Sequence, residues 1–115
     1  MLSHKPLPST PRSIHDLHEY FRTLSDSARL RILDYLAASP EDLKVSDLAR
    51  GVRMSQPLCS WHLRRLARVQ LVKIRRVGRE ARCSLNRARL AAYERAFAEA
   101  IAARYARAER KRKPK

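Results

Sequence analysis

Near one end of the chain, Leu90, Tyr93, Phe97, Ile101 and Tyr105 recur at spacings of 3, 4, 4 and 4. That is a single narrow stripe along an α-helix, the pattern of a seam made to meet another helix. The helix is expected to run from about Asn86 to Arg110, and nothing else in a chain of 115 residues is available to cover the stripe. A second narrow seam stands near the other end: Ile14, Leu17, Phe21 and Leu24, at spacings of 3, 4 and 3. Ser13 can cap that helix, with Asp16 three residues later in a capping-box-like arrangement. Two one-sided helices at opposite ends restrict the chain to a small, mainly helical fold. The composition agrees: two glycines, many Ala, Leu and Arg, and few β-branched residues. The length suits one domain with one modest core.

Between the seams the pattern divides into short elements. A second helix starts at Asp26, has Leu30, Ile32, Leu33 and Leu36 as core candidates, and is stopped by Ser39 and Pro40. "EDLKV" reads as a short connection. A third helix runs from Ser46 to about Val52, ending around Gly51, and "RMS" is a tight turn into a fourth. Ser55 supplies that helix's N-cap oxygen, and Pro57 sits in the first turn, where its missing N–H is harmless. After Val69, "LVKIRRV" and "EARCSL" alternate like strands around Gly78 and Arg79, giving a basic hairpin. A short helix, a tight turn and a Ser-capped helix make a helix-turn-helix, and the hairpin adds a wing. The expected fold is therefore mainly α with a small β-hairpin, a winged helix-turn-helix. Residues 1–12, with Pro6, Pro8 and Pro11, form an irregular arm. The domain proper spans 13–109, and "RKRKPK" at 110–115 is a basic tail.

Charge points to the partner. The formal net charge is +15, and between Asp47 and Glu94 the only acid is Glu80 among twelve arginines and lysines. The acids gather instead in the first two helices and the connection to the third. One side of the molecule, built from the fourth helix and the hairpin, is strongly positive, and a polyanion such as nucleic acid is the first candidate. A helix of this kind fits the major groove of B-DNA, about 12 Å wide, with its N-terminal polar residues at base edges. No run of about 20 apolar residues is present to span a membrane, and "MLSHKPLPSTPRS" has no apolar signal core. Two widely separated cysteines and no export signal suggest the cytoplasm. Paired carboxylates, an activated nucleophile and a phosphate-cradling glycine loop are all lacking, which argues against an enzyme.

"SQPLCSWHLRRL", residues 55–66, poses one puzzle. Helical periodicity puts Cys59, Leu63 and Leu66 on the core stripe and leaves Trp61 on the opposite face, with Ser60, Arg64 and Arg68. Either the ring meets DNA through thymine methyls or a sugar face, or it folds back over the arginine stems or a neighbouring helix.

"LSDSARLRILDYLAAS" and "VSDLARGVRMSQPLCSWHLRRLARVQLVKIRRVGREARCSL", with the helix that follows, resemble the ArsR/SmtB family of bacterial repressors over about residues 17–105. The resemblance implies a homodimer built from the first and last helices, through Ile14, Leu17, Phe21, Leu90, Tyr93, Phe97, Ile101 and Tyr105. It also implies binding to a palindromic operator and repression that a signal relieves. Ser55, Gln56, Ser60 and His62 match the family's recognition-helix motif, with His62 toward the edge of the core and open to either an internal hydrogen bond or a base contact. The expected DNA-facing set is Ser55, Gln56, Pro57, Ser60, Trp61, Arg64, Arg65 and Arg68, with Arg75, Arg76, Arg79 and Arg82 on the wing. Some members of the family sense metals through Cys-x-Cys on the third helix, where this chain has Lys44 and Ser46. Others use Asp, His and Glu on the last helix, which here has no histidine. No cofactor and no metal are therefore expected; His15 and His18, with His4 nearby, are a weak alternative. Cys59 suits core packing and Cys83 is expected partly exposed on a wing strand; oxidation of either thiol would weaken DNA binding, which leaves a redox inducer open beside a small-molecule one. Two rivals remain: a sequence-indifferent architectural DNA binder, favoured by the excess charge and the basic tail, and a dimeric scaffold for acidic proteins.

Overall fold

Ser13 caps the first turn as expected, its Oγ accepting the Asp16 backbone N–H at 3.2 Å. The structure, a computed structural model, describes Pro11 and residues 13–112, so the rest of the proline-rich arm and residues 113–115 of the basic tail lie outside the described residues. The first turn winds as a 3₁₀ helix, His15–Leu17, and passes into α1, His18–Leu24. The inward stripe here is Leu17, Tyr20 and Leu24; Ile14 and Phe21 are left exposed.

Asp26 begins α2, Ser27–Ala37, its Oδ1 accepting the backbone N–H of Ala28 at 2.8 Å and of Arg29 at 3.2 Å. These contacts satisfy two of the donors that a helix start leaves unpaired. The "EDLKV" connection holds a short strand that sequence reading missed: β1, Leu43–Lys44, followed at once by α3, Val45–Gly51. Gly51 accommodates the Tyr35 ring, whose outer atoms occupy the place where a Cβ would stand.

The turn after α3 closes as a Schellman motif. Met54 N–H donates to the Ala49 carbonyl at 2.9 Å and Arg53 N–H to the Arg50 carbonyl at 3.2 Å. Arg53 carries the left-handed conformation, φ 58°, that glycine usually supplies at this place. The Arg31 guanidinium also donates to the Val52 carbonyl in this turn. The fourth helix, α4, spans Gln56–Arg68, with Ser55 Oγ accepting the Leu58 N–H at 3.3 Å. It ends in a second Schellman motif: Leu71 N–H bonds the Leu66 carbonyl at 3.0 Å, Gln70 N–H bonds the Ala67 carbonyl at 2.9 Å, and Gln70 has φ 65°.

The wing is β2, Val72–Val77, and β3, Glu80–Leu85, paired antiparallel from Val72↔Leu85 to Val77↔Glu80. Gly78, φ 64°, takes the first place of the two-residue turn, where a positive φ matches the twist of the strands. With β1 paired to β3 through Leu43↔Cys83 and Lys44↔Arg82, the sheet is three-stranded in the order β1-β3-β2 rather than a lone hairpin.

Asn86 caps the last helix, its Oδ1 accepting the Arg89 N–H at 3.2 Å. This α5, Arg87–Arg112, is 26 residues long and so about 39 Å at 1.5 Å per residue. It runs past the expected end at Arg110 because no helix breaker intervenes before Pro114. Ile32, Leu36, Leu48, Leu63, Leu66, Leu71 and Cys83 fill a core between the helices and the inner face of the sheet.

Two seam residues do not stay available. Leu17 and Tyr93 are buried within the chain itself, and Leu90 is half-buried. The Tyr93 ring stacks on Tyr20 at 4.1 Å with an interplanar angle of 11°, and its hydroxyl donates to the Val69 carbonyl at 3.0 Å. Sequence periodicity counted Tyr93 as seam because its intrachain partner, Tyr20, lies 73 residues away. What remains exposed is Ile14, Phe21, Phe97, Ile101 and Tyr105. Phe21 and Phe97 meet edge to face at 4.9 Å, joining α1 and α5 into one continuous apolar surface.

Candidate nucleic-acid interface

The fourth helix has two faces with different chemistry. Cys59, His62, Leu63 and Leu66 are buried. At 100° per residue, Pro57, Trp61, Arg64 and Arg68 project from the opposite side, and all four are exposed. Among the described residues neither Arg64 nor Arg68 pairs with a carboxylate. Gln56 is exposed at the helix start, and Ser55, also exposed, spends its Oγ on capping. Ser60 is half-buried on the flank of the helix rather than on the outward face where it was expected.

His62 takes the internal role. A guanidinium can only donate, so Nδ1, 3.3 Å from Arg29 Nη1, accepts and the ring proton sits on Nε2. Arg29 is held in turn by the Thr23 carbonyl, at 2.7 Å from Nε, and by Asp26 at 3.8 Å. Burial pushes the imidazole below its ordinary value, against the pull of Asp26 and with the help of Arg29 and Arg65. The neutral ring thus ties α4 to the start of α2 and is withdrawn from the exposed side of α4.

Trp61 packs in part on an arginine, the second of the two alternatives. The Arg65 guanidinium carbon lies 4.6 Å over its ring centroid, and the His62 ring meets it at 5.0 Å and 73°. Even so, the residue remains 43% exposed on the arginine-lined face.

On the wing the structure divides the expected contact set. Asp42, which sequence reading did not single out, accepts from Arg75 Nε at 3.0 Å and Nη2 at 2.7 Å through one oxygen. Its other oxygen accepts from Arg82 Nε at 3.0 Å, and its carbonyl from Arg82 Nη2 at 3.2 Å. Lys44 pairs with Glu80 at 3.1 Å on the same outer face of the sheet. Arg75 and Arg82 therefore bind the wing to the β1 segment through Asp42, the Arg75 side chain remaining 67% exposed. Their hydrogen bonds hold the Asp42 carboxyl below the usual carboxylate range, Arg75 contributing most. Arg76, which bonds the Arg79 carbonyl at 3.4 Å, and Arg79 itself remain at the exposed tip, with Lys73 exposed farther along β2. The clamp joins residues 33 and 40 apart, so no local pattern announces it.

The cysteines fit no redox switch of the simple kind. Cys59 and Cys83 are both free and buried. Burial raises the Cys59 thiol and pushes Cys83 up to about 12, with Cys59 and Asp42 adding to the latter and Arg82 opposing. A protonated, enclosed thiol reacts slowly with oxidants. The Lys44 and Ser46 positions do not suit a metal either. They offer an ion-paired ammonium and a hydroxyl where thiolates would be needed. Among the described residues, no group of three or more His, Cys, Asp or Glu is gathered to hold a metal ion. His15 and His18 are exposed, and His4 lies outside the described residues. No helix of the described residues is long and apolar enough to cross a membrane.

Known proteins agree with this geometry. A family described as a helix-turn-helix domain matches residues 24–75. The chain is 43% identical over 67 residues to a transcriptional repressor SmtB homologue of Synechocystis sp., covering 58% of this chain and 49% of the relative. The match thus spans about half that relative's length. It is 37% identical over 76 residues to the arsenical resistance operon repressor of Staphylococcus aureus, covering 66% of this chain and 71% of that protein. An ArsR-like transcriptional regulator from Rhodococcus sp. RHA1 has the same fold, with a TM-score of 0.67, 34% identity, and coverage of 79% of this chain and 83% of that one. An uncovered basic helix face, the turn that presents it, the wing beside it and these relatives lead to one assignment: the chain belongs to the ArsR/SmtB family of winged helix-turn-helix transcriptional regulators.

Proposed function

We propose that this protein is a cytoplasmic repressor that binds a twofold-symmetric DNA operator as a homodimer. The observation that carries the reading is the outward face of α4, where Arg64 and Arg68 stand exposed without carboxylate partners among the described residues. A helix face kept free of acids suits a major groove, whose walls are lined by phosphates. Arg64 and Arg68 would meet phosphate or guanine, Gln56 a base edge, and the positive start of α4 a backbone phosphate. Arg76 and Arg79 at the wing tip would reach the neighbouring backbone, leaving Arg75 and Arg82 to hold the wing in position.

The apolar surface of Ile14, Phe21, Phe97, Ile101 and Tyr105 supports the dimer. An isologous contact between two such surfaces would cover α1 and α5 on both copies at once. It would also fix the separation of the two recognition helices, which is what a palindrome reads.

Selection of bound duplexes from a random pool, followed by titration of the winner and a scrambled duplex at two salt concentrations, tests the proposal. A repressor prefers its operator by about a thousandfold or more, with steep salt dependence on both duplexes. Equal, salt-sensitive binding to every duplex would instead establish a DNA-coating protein. The basic end of α5, Arg110, Lys111 and Arg112, gives that second reading its support.

A further inference from the structure

Leu58 and Trp61 are large apolar side chains in a setting of arginines. They are 46% and 43% exposed. Neither belongs to the buried face of α4, and as an i, i+3 pair their Cβ atoms lie about 5–6 Å apart on one surface. Arg65 stacks on the Trp61 ring at 4.6 Å, and His62 meets it at 5.0 Å. His62 is itself fixed to Arg29, so the ring's attitude is set through α4 back to α2. The outcome is an exposed apolar patch bordered by Arg64, Arg65 and Arg68.

A patch of this kind needs a ligand that is anionic around its rim and apolar at one point. The floor of the major groove presents hydrogen-bonding groups at nearly every position, and its one apolar substituent is the C5-methyl of thymine. Resting on the repressor reading above, we infer that Leu58 and Trp61 are specificity-determining residues that enclose the C5-methyl of a thymine in each half-site, while the bordering arginines hold the adjacent phosphates or guanine. The preference arises from apolar contact rather than hydrogen bonding. It therefore distinguishes thymine from cytosine by a methyl that can be deleted without altering base pairing.

The test replaces each thymine of the selected operator, one symmetric pair at a time, with deoxyuridine. One pair should stand out, weakening binding by about fourfold per half-site, the effect of exposing one methyl-sized group, and by about fifteenfold for both. Binding of the Trp61→Ala and Leu58→Ala variants to the same duplexes should lose that sensitivity. Both positions are on the surface, so folding should survive either change. Unchanged affinity for every deoxyuridine duplex, with operator preference intact, would overturn the methyl site and leave the repressor reading standing. A deoxyuridine penalty that persists in both alanine variants would likewise overturn it, since other residues would then be reading the methyl. A pool that yields no preferred duplex would overturn both readings together.

Discussion

Tyr93 links α5 to the end of α4, and removing one atom tests that link. Its hydroxyl donates to the carbonyl of Val69, the C-cap residue of α4, at 3.0 Å. Tyr93 is 1% exposed and Val69 2%, so water cannot replace the lost donor. Tyr93→Phe keeps the ring stacked on Tyr20 and takes away only the hydrogen bond. A buried acceptor left unsatisfied costs about 1–3 kcal/mol, and because the donor is removed together with it the lower part of that range, about 1–2 kcal/mol, is expected. For a domain of this size that corresponds to a melting temperature lower by about 5–10 °C. Urea unfolding followed by circular dichroism would measure it, at one fixed protein concentration because a dimer's stability depends on concentration. Tyr35→Phe is the control: Tyr35 is 41% exposed, lies away from the α1–α5 surface and should be nearly neutral. A Tyr93→Phe protein as stable as the parent, or one no more affected than Tyr35→Phe, would show that this bond does not fasten α5 to α4.

Gln70→Gly should stabilise the fold by about 0.5–1 kcal/mol, since a left-handed residue with a side chain costs about 1–2 kcal/mol and glycine's extra entropy returns only part of that; thermal unfolding would show the rise. Phe97→Glu and Ile101→Glu should each convert the protein to monomers in sedimentation velocity, since the carboxylate would be enclosed between apolar surfaces. Asp42→Asn should free Arg75 and Arg82 of the wing and steepen the salt dependence of DNA binding by about 1–2 in log–log slope if both then meet phosphate. The values of His62 and Asp42 are both depressed by folding, so both groups favour the fold above their unfolded values and withdraw that support as the pH falls. Melting temperature should therefore begin to decline below the ordinary histidine value of 6.5, and His62→Gln should flatten that first part of the profile.

Local patterns were legible and long-range ones were not. The exposed face with Trp61, Arg64 and Arg68 follows from the period of one helix, although Ser60 falls on its flank, and the caps at Ser13 and Ser55 have partners three residues away. The two-residue β1 is too short to have a period, and it is a strand only because Cys83 and Arg82 pair with it. Both left-handed helix ends use Arg53 and Gln70, so the usual glycine signal was missing. Tyr93 lies on the seam stripe but is covered by Tyr20, and two of the wing arginines are held by Asp42. In each case the deciding partner is distant in sequence, and neither propensity nor charge counting reports on such pairs.

In the proposed dimer, α1 and α5 join two chains so that two α4 helices enter successive major grooves. Hydroxyl-radical footprinting of the selected operator, with the protein-to-duplex ratio measured on the same complex, tests this most directly. Two protected segments related by twofold symmetry, about one helical turn or 34–36 Å apart, with two chains per duplex, are expected. A single protected segment carrying one chain, or uniform protection with no symmetry, would contradict it.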